Sequence, residues 1–171
     1  MPITFRRGTE ADARAAADLW LRARKAAIGP IPEPVHGDDD VRAWFASHVV
    51  RQTELWIAED RVGTLVGILV LDGRWLDQLY VEPTSTGRGI GAGLMKVAKR
   101  ERPEGLQLWT FASNAGAQRF YERHGFVETG RTDGDNEEGA PDILYVWRGR
   151  ASGAERIAVA FDETRQRGRR C

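Results

Sequence analysis

Of 171 residues only one is cysteine, Cys171, and only three are histidine: His36, His48 and His124. A lone thiol closes no internal disulfide, so the fold must stand on its hydrophobic core, as suits a reducing compartment. The scattered histidines show no zinc-ligand spacing, and no metal is expected. Excess charge is missing as well. The 25 basic and 25 acidic side chains cancel, leaving no overall field to collect nucleic acid or an anionic membrane. No apolar run reaches the roughly 18 residues of a membrane span, and the opening MPITFRRGTEADAR lacks an apolar signal core. These absences predict a soluble, cytoplasmic protein with neither a nucleic-acid nor a membrane partner. One domain of this length buries about 70% of its unfolded surface without staples.

What the chain does have is patterned glycine. Gly87, Gly89, Gly91 and Gly93 fall at every second position. Before them, Trp75, Asp77, Leu79 and Val81 share one strand parity and Leu76, Gln78 and Tyr80 the other. Pro83, with no N–H for a ladder, ends that strand. After them, Ile90, Leu94, Val97 and Ala98 take helical spacing. Strand, glycine turn and helix start together suit a phosphate. The first helical N–H groups lack internal partners, the helix dipole adds positive charge, and glycine keeps a Cβ out of the way. Arg88, Lys96, Lys99, Arg100 and Arg102 against Glu101 make this a positive island in a neutral chain. The plainer alternative is a tight turn beside a solvated basic helix face. A P-loop is excluded because Leu94 and Met95 follow Gly93 where Lys and Ser/Thr are needed. A dinucleotide fingerprint fits Gly87 to Ala92 formally, but the acid it requires about 20 residues on, near Gln107, is missing.

The rest of the chain supplies a sheet. Ile3, Phe5 and Arg7 read as an edge strand. Thr9 and Asp12 pair as a cap for a helix over 10–27 that buries Ala16, Leu19, Trp20, Ala23 and Ala27. The prolines of 29–34 break it. Glu33, Asp38, Asp39 and Asp40 then cluster. Asp39 or Asp40 caps a second helix with Val41, Trp44, Phe45 and His48 on its apolar face, or the acids form a rim that attracts a cationic acceptor. Residues 55–58 and 62–71 read as strands, the second apolar enough to be covered on both faces. Asp72-Gly73 predicts a hairpin into Trp75–Val81. Pro103-Glu104-Gly105 stops the glycine-turn helix, and Leu106–Phe111 is the next strand. Asn114 caps a short helix carrying Ala117, Phe120, Tyr121 and His124, closed by Gly125. Phe126–Arg131 and Ile143–Trp147 complete the sheet, with a mobile acidic loop expected from Asp133 to Asp142. Residues 149–171 end in Arg165, Arg167, Arg169 and Arg170 and read as a flexible basic tail.

Two of these stretches resemble the GNAT family of N-acetyltransferases. Thr86-Gly87-Arg88-Gly89-Ile90-Gly91, after Leu79-Tyr80-Val81 and Pro83, is similar to that family's acetyl-CoA loop, Arg/Gln-x-x-Gly-x-Gly/Ala. Thr86 stands where Arg or Gln is usual. Asn114-x-x-Ala117-x-x-Phe120-Tyr121-x-x-x-Gly125-Phe126 is similar to a second signature of the family. The resemblance spans 3–148 and implies a GNAT domain over 1–148. The implied fold is α/β (α+β), a mixed, mostly antiparallel twisted sheet of about seven strands flanked by about four helices. It also implies acetyl-CoA as co-substrate. The phosphates would lie on residues 86–91, and the pantetheine arm between Leu79–Val81 and Leu106–Phe111, touching Asn114. Tyr121 takes the position of the general acid that protonates the leaving thiolate. The implied reaction moves acetyl to a primary amine of a small molecule or peptide. Its base is Asp77 first, with Glu82, Glu54 or a water chain as alternatives. A second class stays open: an acyl-CoA sensor of the same fold without turnover. The acceptor's identity and the oligomeric state are not fixed, and a homodimer is compatible with the sequence.

Overall fold

The computed structural model describes residues 2–149, so the basic tail, from residue 150 on, lies outside the described residues. Its centre is a seven-stranded sheet in the order β1-β2-β3-β4-β5-β7-β6. The strands are β1 (Thr4–Arg7), β2 (Glu54–Glu59), β3 (Leu65–Asp72), β4 (Trp75–Val81), β5 (Gly105–Phe111), β6 (Val127–Thr132) and β7 (Asp142–Arg148). All neighbours run antiparallel except β4 and β5, which are parallel. The helices are α1 (Ala13–Ala26), α2 (Asp38–Trp44), the single turn α3 (Val50–Gln52), α4 (Ile90–Glu101) and α5 (Ala115–Arg123). The expected mixed, mostly antiparallel sheet is therefore present.

Two apolar layers sandwich the sheet. On one face Leu19 and Trp20 of α1, with Val41, Phe45 and Val49, pack on Ile57, Ile68 and Val70. On the other, Ile90, Leu94 and Met95 of α4 meet Leu69, Leu71, Leu106 and Leu108. The interior of β3 is buried throughout, as its unbroken apolar run predicts. Helix α4 reaches the far edge of the sheet only because Gly93 has no side chain. A Cβ there would stand 2.2 Å from Cζ of Phe5.

Several local expectations are corrected. Strand β3 begins at Leu65 rather than at residue 62, because Asp60 Oδ1 accepts from the N–H groups of Val62 (3.0 Å) and Thr64 (2.9 Å) and turns the chain. Gly37, not Asp39 or Asp40, caps α2; Asp38–Asp40 form its first turn instead, where negative charge suits the helix dipole. After Trp44 the chain widens into a π-helical stretch, Phe45–Val49. The extra residue rotates Val49 into the core and leaves His48 half-buried, stacked on Trp44 at 5.9 Å. Within the acidic loop Asn136 Nδ2 donates to Ala140 O (2.7 Å) and to Asp142 Oδ2 (3.0 Å), and Thr132 Oγ1 to Asp142 Oδ1 (2.5 Å), bonds that its composition does not announce.

Strand β4 also departs from simple alternation. Val70 pairs with Gln78 but Leu71 pairs with Leu76, which leaves Asp77 as the extra residue of a bulge. Leu76 thereby joins Leu79 and Val81 on the α4 side. Gln78 and Tyr80 face α1, where Trp20 Nε1 donates to Gln78 Oε1 at 2.9 Å and Tyr80 meets the Trp20 ring edge-on at 5.8 Å.

Candidate active site

The site begins where a pairing ends. β4 and β5 meet in register only at Trp75 and Gln107, supported by Gln107 N–H donating to Arg74 O at 3.0 Å. Beyond that point the strands part. The gap is a cavity of about 1000 Å³ lined by Asp77 to Val81 on one side and Trp109, Thr110 and Phe111 on the other. Strand backbone that faces such a gap keeps its donors and acceptors for whatever fills it.

The glycine turn closes one end. A short 3-10 turn, Pro83–Ser85, brings the chain round to Thr86, whose hydroxyl donates to Pro83 O at 3.0 Å. Gly87 and Gly89 take φ of 75° and 79°, left-handed values that cost a residue with a Cβ about 1–2 kcal/mol. Gly89 is the N-cap of α4. Thr86, Gly87, Gly89, Ile90 and Gly91 all line the cavity; Arg88 is exposed and is not among the lining residues. The start of α4 thus presents a dipole end and open backbone to the cleft.

Helix α5 forms a wall. Asn114 caps it, its Oδ1 accepting from Ala117 N–H at 3.0 Å, and lines the cavity with Ala117, Phe120 and Tyr121. The Tyr121 ring lies 5.7 Å from Phe126 and 5.4 Å from Phe120. Burial first, and Tyr80 second, push its phenol pKa well above the ordinary value. Tyr121 thus borders the cleft with its phenol held protonated near neutral pH. Burial also raises Tyr80, while Arg24 draws it back down.

The three acids named from the sequence separate cleanly. Asp77, on the bulge, lines the cavity. Glu82 and Glu54 do not, and both are held in ion pairs: Glu82 by Arg22 at 2.7 Å, Glu54 by Arg7 at 2.6 Å and Arg102 at 2.9 Å. Burial works to raise the Glu54 pKa, but its bonds from Arg102 and Arg7 leave it lowered. Glu33 and Asp38–Asp40 are also outside the lining. Asp38 pairs with Lys25 at 2.9 Å and Asp39 with Arg42 at 3.0 Å.

One acid of the cavity is absent from the sequence-based expectations. Glu138, between β6 and β7, lines it and meets Arg24 of α1 at 3.1 Å, each side chain only 3% exposed. The signal for it is Arg24, which falls one helical turn after Trp20 on the apolar stripe of α1. A charge on a buried face needs a buried partner. Among the described residues no cluster of His, Cys, Asp and Glu could hold a metal, and no helix is long and apolar enough to cross a membrane.

Parting parallel strands over a glycine-capped helix, with a tyrosine-bearing helix alongside, make the arrangement that the resemblance to GNAT acetyltransferases implies. Comparison with known proteins agrees. The family model described as acetyltransferase (GNAT) domain matches residues 51–128. The peptidyl-lysine N-acetyltransferase YjaB of Salmonella typhimurium is 27% identical over 136 residues, covering 80% of this chain and 91% of that protein. Peptidyl-lysine N-acetyltransferase YiaC of Escherichia coli is 35% identical over 72 residues, 42% of this chain and 48% of its own. The solution structure of apo-form YjaB from Escherichia coli superposes with a TM-score of 0.71 at 25% identity, covering 87% of this chain and 99% of that one. The chain is thus similar to GNAT acetyltransferases in sequence over the matched residues and in fold.

Proposed function

We propose that the cleft transfers an acetyl group from acetyl-CoA to a primary amine of a peptide or small molecule by direct attack. The observation that carries this reading is the parting of β4 and β5 after Trp75 and Gln107, with Tyr121 on one wall and the glycine turn at one end. Acetyl-CoA fits the residues present. A Cβ built at Gly87 or Gly89 would meet nothing within 4 Å, so the turn is an open cradle for a pyrophosphate, and the cavity runs from it between the strands. The backbone of residues 86–91 would hold the phosphates, with Arg88 at their exposed side. Leu79, Tyr80 and Val81 would offer main-chain groups to the pantetheine arm, and Asn114 its side chain.

Acyl transfer then needs a neutral amine, a donor for the carbonyl oxygen and a proton for the departing sulfur. Tyr121 supplies that last proton. Burial raises its pKa, which keeps the phenol protonated near neutral pH and makes it a weaker acid toward the thiolate than a free tyrosine. Asp77 is the acid of the trio that reaches the cavity, and it accepts the amine's proton directly or through water. The likeness to peptidyl-lysine N-acetyltransferases supports a lysine side chain as acceptor. Incubating the full chain with acetyl-CoA and a panel of amines, with thiol release monitored, tests the reading. Release that depends on a primary amine supports it. Binding of acetyl-CoA without release from any amine would leave an acyl-CoA sensor instead.

A further inference from the structure

The acceptor side of the cleft holds an unmet hydrogen-bonding demand. Glu138 uses Oε1 to accept from Arg24 Nη2 at 3.1 Å. Its second oxygen, Oε2, is buried and has no hydrogen-bond partner. An unsatisfied buried charge is costly, and a fold keeps one where a ligand completes it. Arg24 Nε also lacks a partner, but Arg24 does not line the cavity and Glu138 does. Of the two residues, it is the carboxylate that borders the cavity.

We propose that Glu138 receives the acceptor's ammonium group, so that the enzyme selects cationic primary amines carried on an apolar stem. This rests on the acetyl-transfer reading above and gives it a substrate class. Charge supports it. Arg24 pairs with Glu138, Asp77 is a second carboxylate of the lining, and all three act on the Tyr80 hydroxyl. Arg24 is unavailable to an anion because its guanidinium is packed between the rings of Trp20 (5.2 Å) and Phe111 (5.6 Å). The cavity that Glu138 lines suits a cation on methylenes, since Tyr80, Trp109 and Phe111 and the small Ala23 and Ala27 line it as well. An acceptor with a carboxylate beside its amine would face two acids and a sequestered arginine, so free α-amino acids are disfavoured.

The test is calorimetric titration of the full-length chain with Nα-acetyl-lysine methylamide and with its norleucine counterpart, which lacks the ammonium. Wild type should bind the lysine compound and not the norleucine one; equal binding of both overturns the proposal. Glu138→Gln strands the Arg24 charge and can cost folding, so the double variant Arg24→Met/Glu138→Met, which removes both charges, is measured beside it. Lysine-compound affinity should fall by about tenfold or more in each variant that folds, while the melting-temperature rise caused by acetyl-CoA stays as in wild type. A folded double variant that binds the lysine compound as wild type does would make the pair purely structural and overturn the proposal. Loss of the acetyl-CoA response in wild type would instead count against the transfer reading, since the amine titration needs no turnover.

Discussion

Trp75 and Gln107 form the single register pair between β4 and β5, and the cleft opens directly beyond them. β4 remains paired with β3 on its other side except at the Asp77 bulge, while beyond Trp75 its edge towards β5 is unpaired. A sheet that splits this way without a ligand leaves strand backbone unsatisfied in its own centre. That arrangement is stable only if water or an extended chain, such as a pantetheine arm, takes the place of the missing strand.

The glycine turn gives the first prediction. Acetyl-CoA should raise the melting temperature, because a ligand that binds only the native state stabilises it. Gly89→Val places a Cβ on a backbone at φ 79°, which should cost about 1–2 kcal/mol of stability and abolish the acetyl-CoA response. The comparison is made by thermal melting with and without ligand. A variant that still answers to acetyl-CoA as wild type does would remove the turn from the donor site. Stabilisation by NADH but not by CoA would contradict the donor itself.

A second prediction concerns the bulge. Trp20 Nε1 bonds Gln78 Oε1 at 2.9 Å, and Gln78 Nε2 lies 3.4 Å from Asp77 Oδ2. One buried indole thus fixes the amide that neighbours the proposed base. Trp20→Phe leaves that amide oxygen without its donor and a gap beside it, and should lower stability by about 2–4 kcal/mol. Urea unfolding reads this as a lower midpoint with an unchanged slope. A change within about 0.5 kcal/mol would mean that the bond contributes nothing net.

Acid sensitivity follows from the N-terminal anchor. Asp12 accepts two bonds from Arg6, at 2.7 and 2.9 Å, and one from Thr9 N–H at 2.8 Å. The Arg6 bonds, the largest effect, outweigh burial and hold its pKa at about 2. A depressed carboxylate stabilises the fold above its unfolded pKa, near 4, and that contribution is lost as pH falls towards about 2. Asp12→Asn should therefore cost about 1 kcal/mol at neutral pH, allowing for screening by solvent, and the difference from wild type should vanish in acid. A difference that persists at pH 2 would point to packing rather than charge.

Features that depend on neighbouring residues are legible in the amino-acid sequence itself. The glycine turn, the Asn114 cap, the position of Tyr121 and the both-faces burial of β3 all come from spacing within a few residues. What the sequence hides depends on partners far away along the chain. The bulge at Asp77 is set by register against β3, so strict alternation puts Leu76 on the wrong face. Glu54 and Glu82 read as available bases, yet Arg7, Arg102 and Arg22 hold them in ion pairs. Glu138 is hidden in a loop whose composition reads as mobile, while Asn136 and Asp142 tie that loop down and its acid meets an arginine 114 positions earlier.

The central claim is that the Tyr121 hydroxyl protonates the leaving thiolate, and its most direct test is the turnover of Tyr121→Phe. The substitution keeps the ring against Phe120 and Phe126 and removes only the donor. Acetyl-CoA affinity and melting temperature should stay close to wild type, while kcat with a primary amine falls by about 10- to 1,000-fold. The fall should be smaller with a thioester whose thiol is more acidic. Because burial raises the Tyr121 pKa, wild-type kcat should show no loss of this acid up to about pH 9. Undiminished kcat in Tyr121→Phe would contradict the account and leave Tyr121 as a core aromatic.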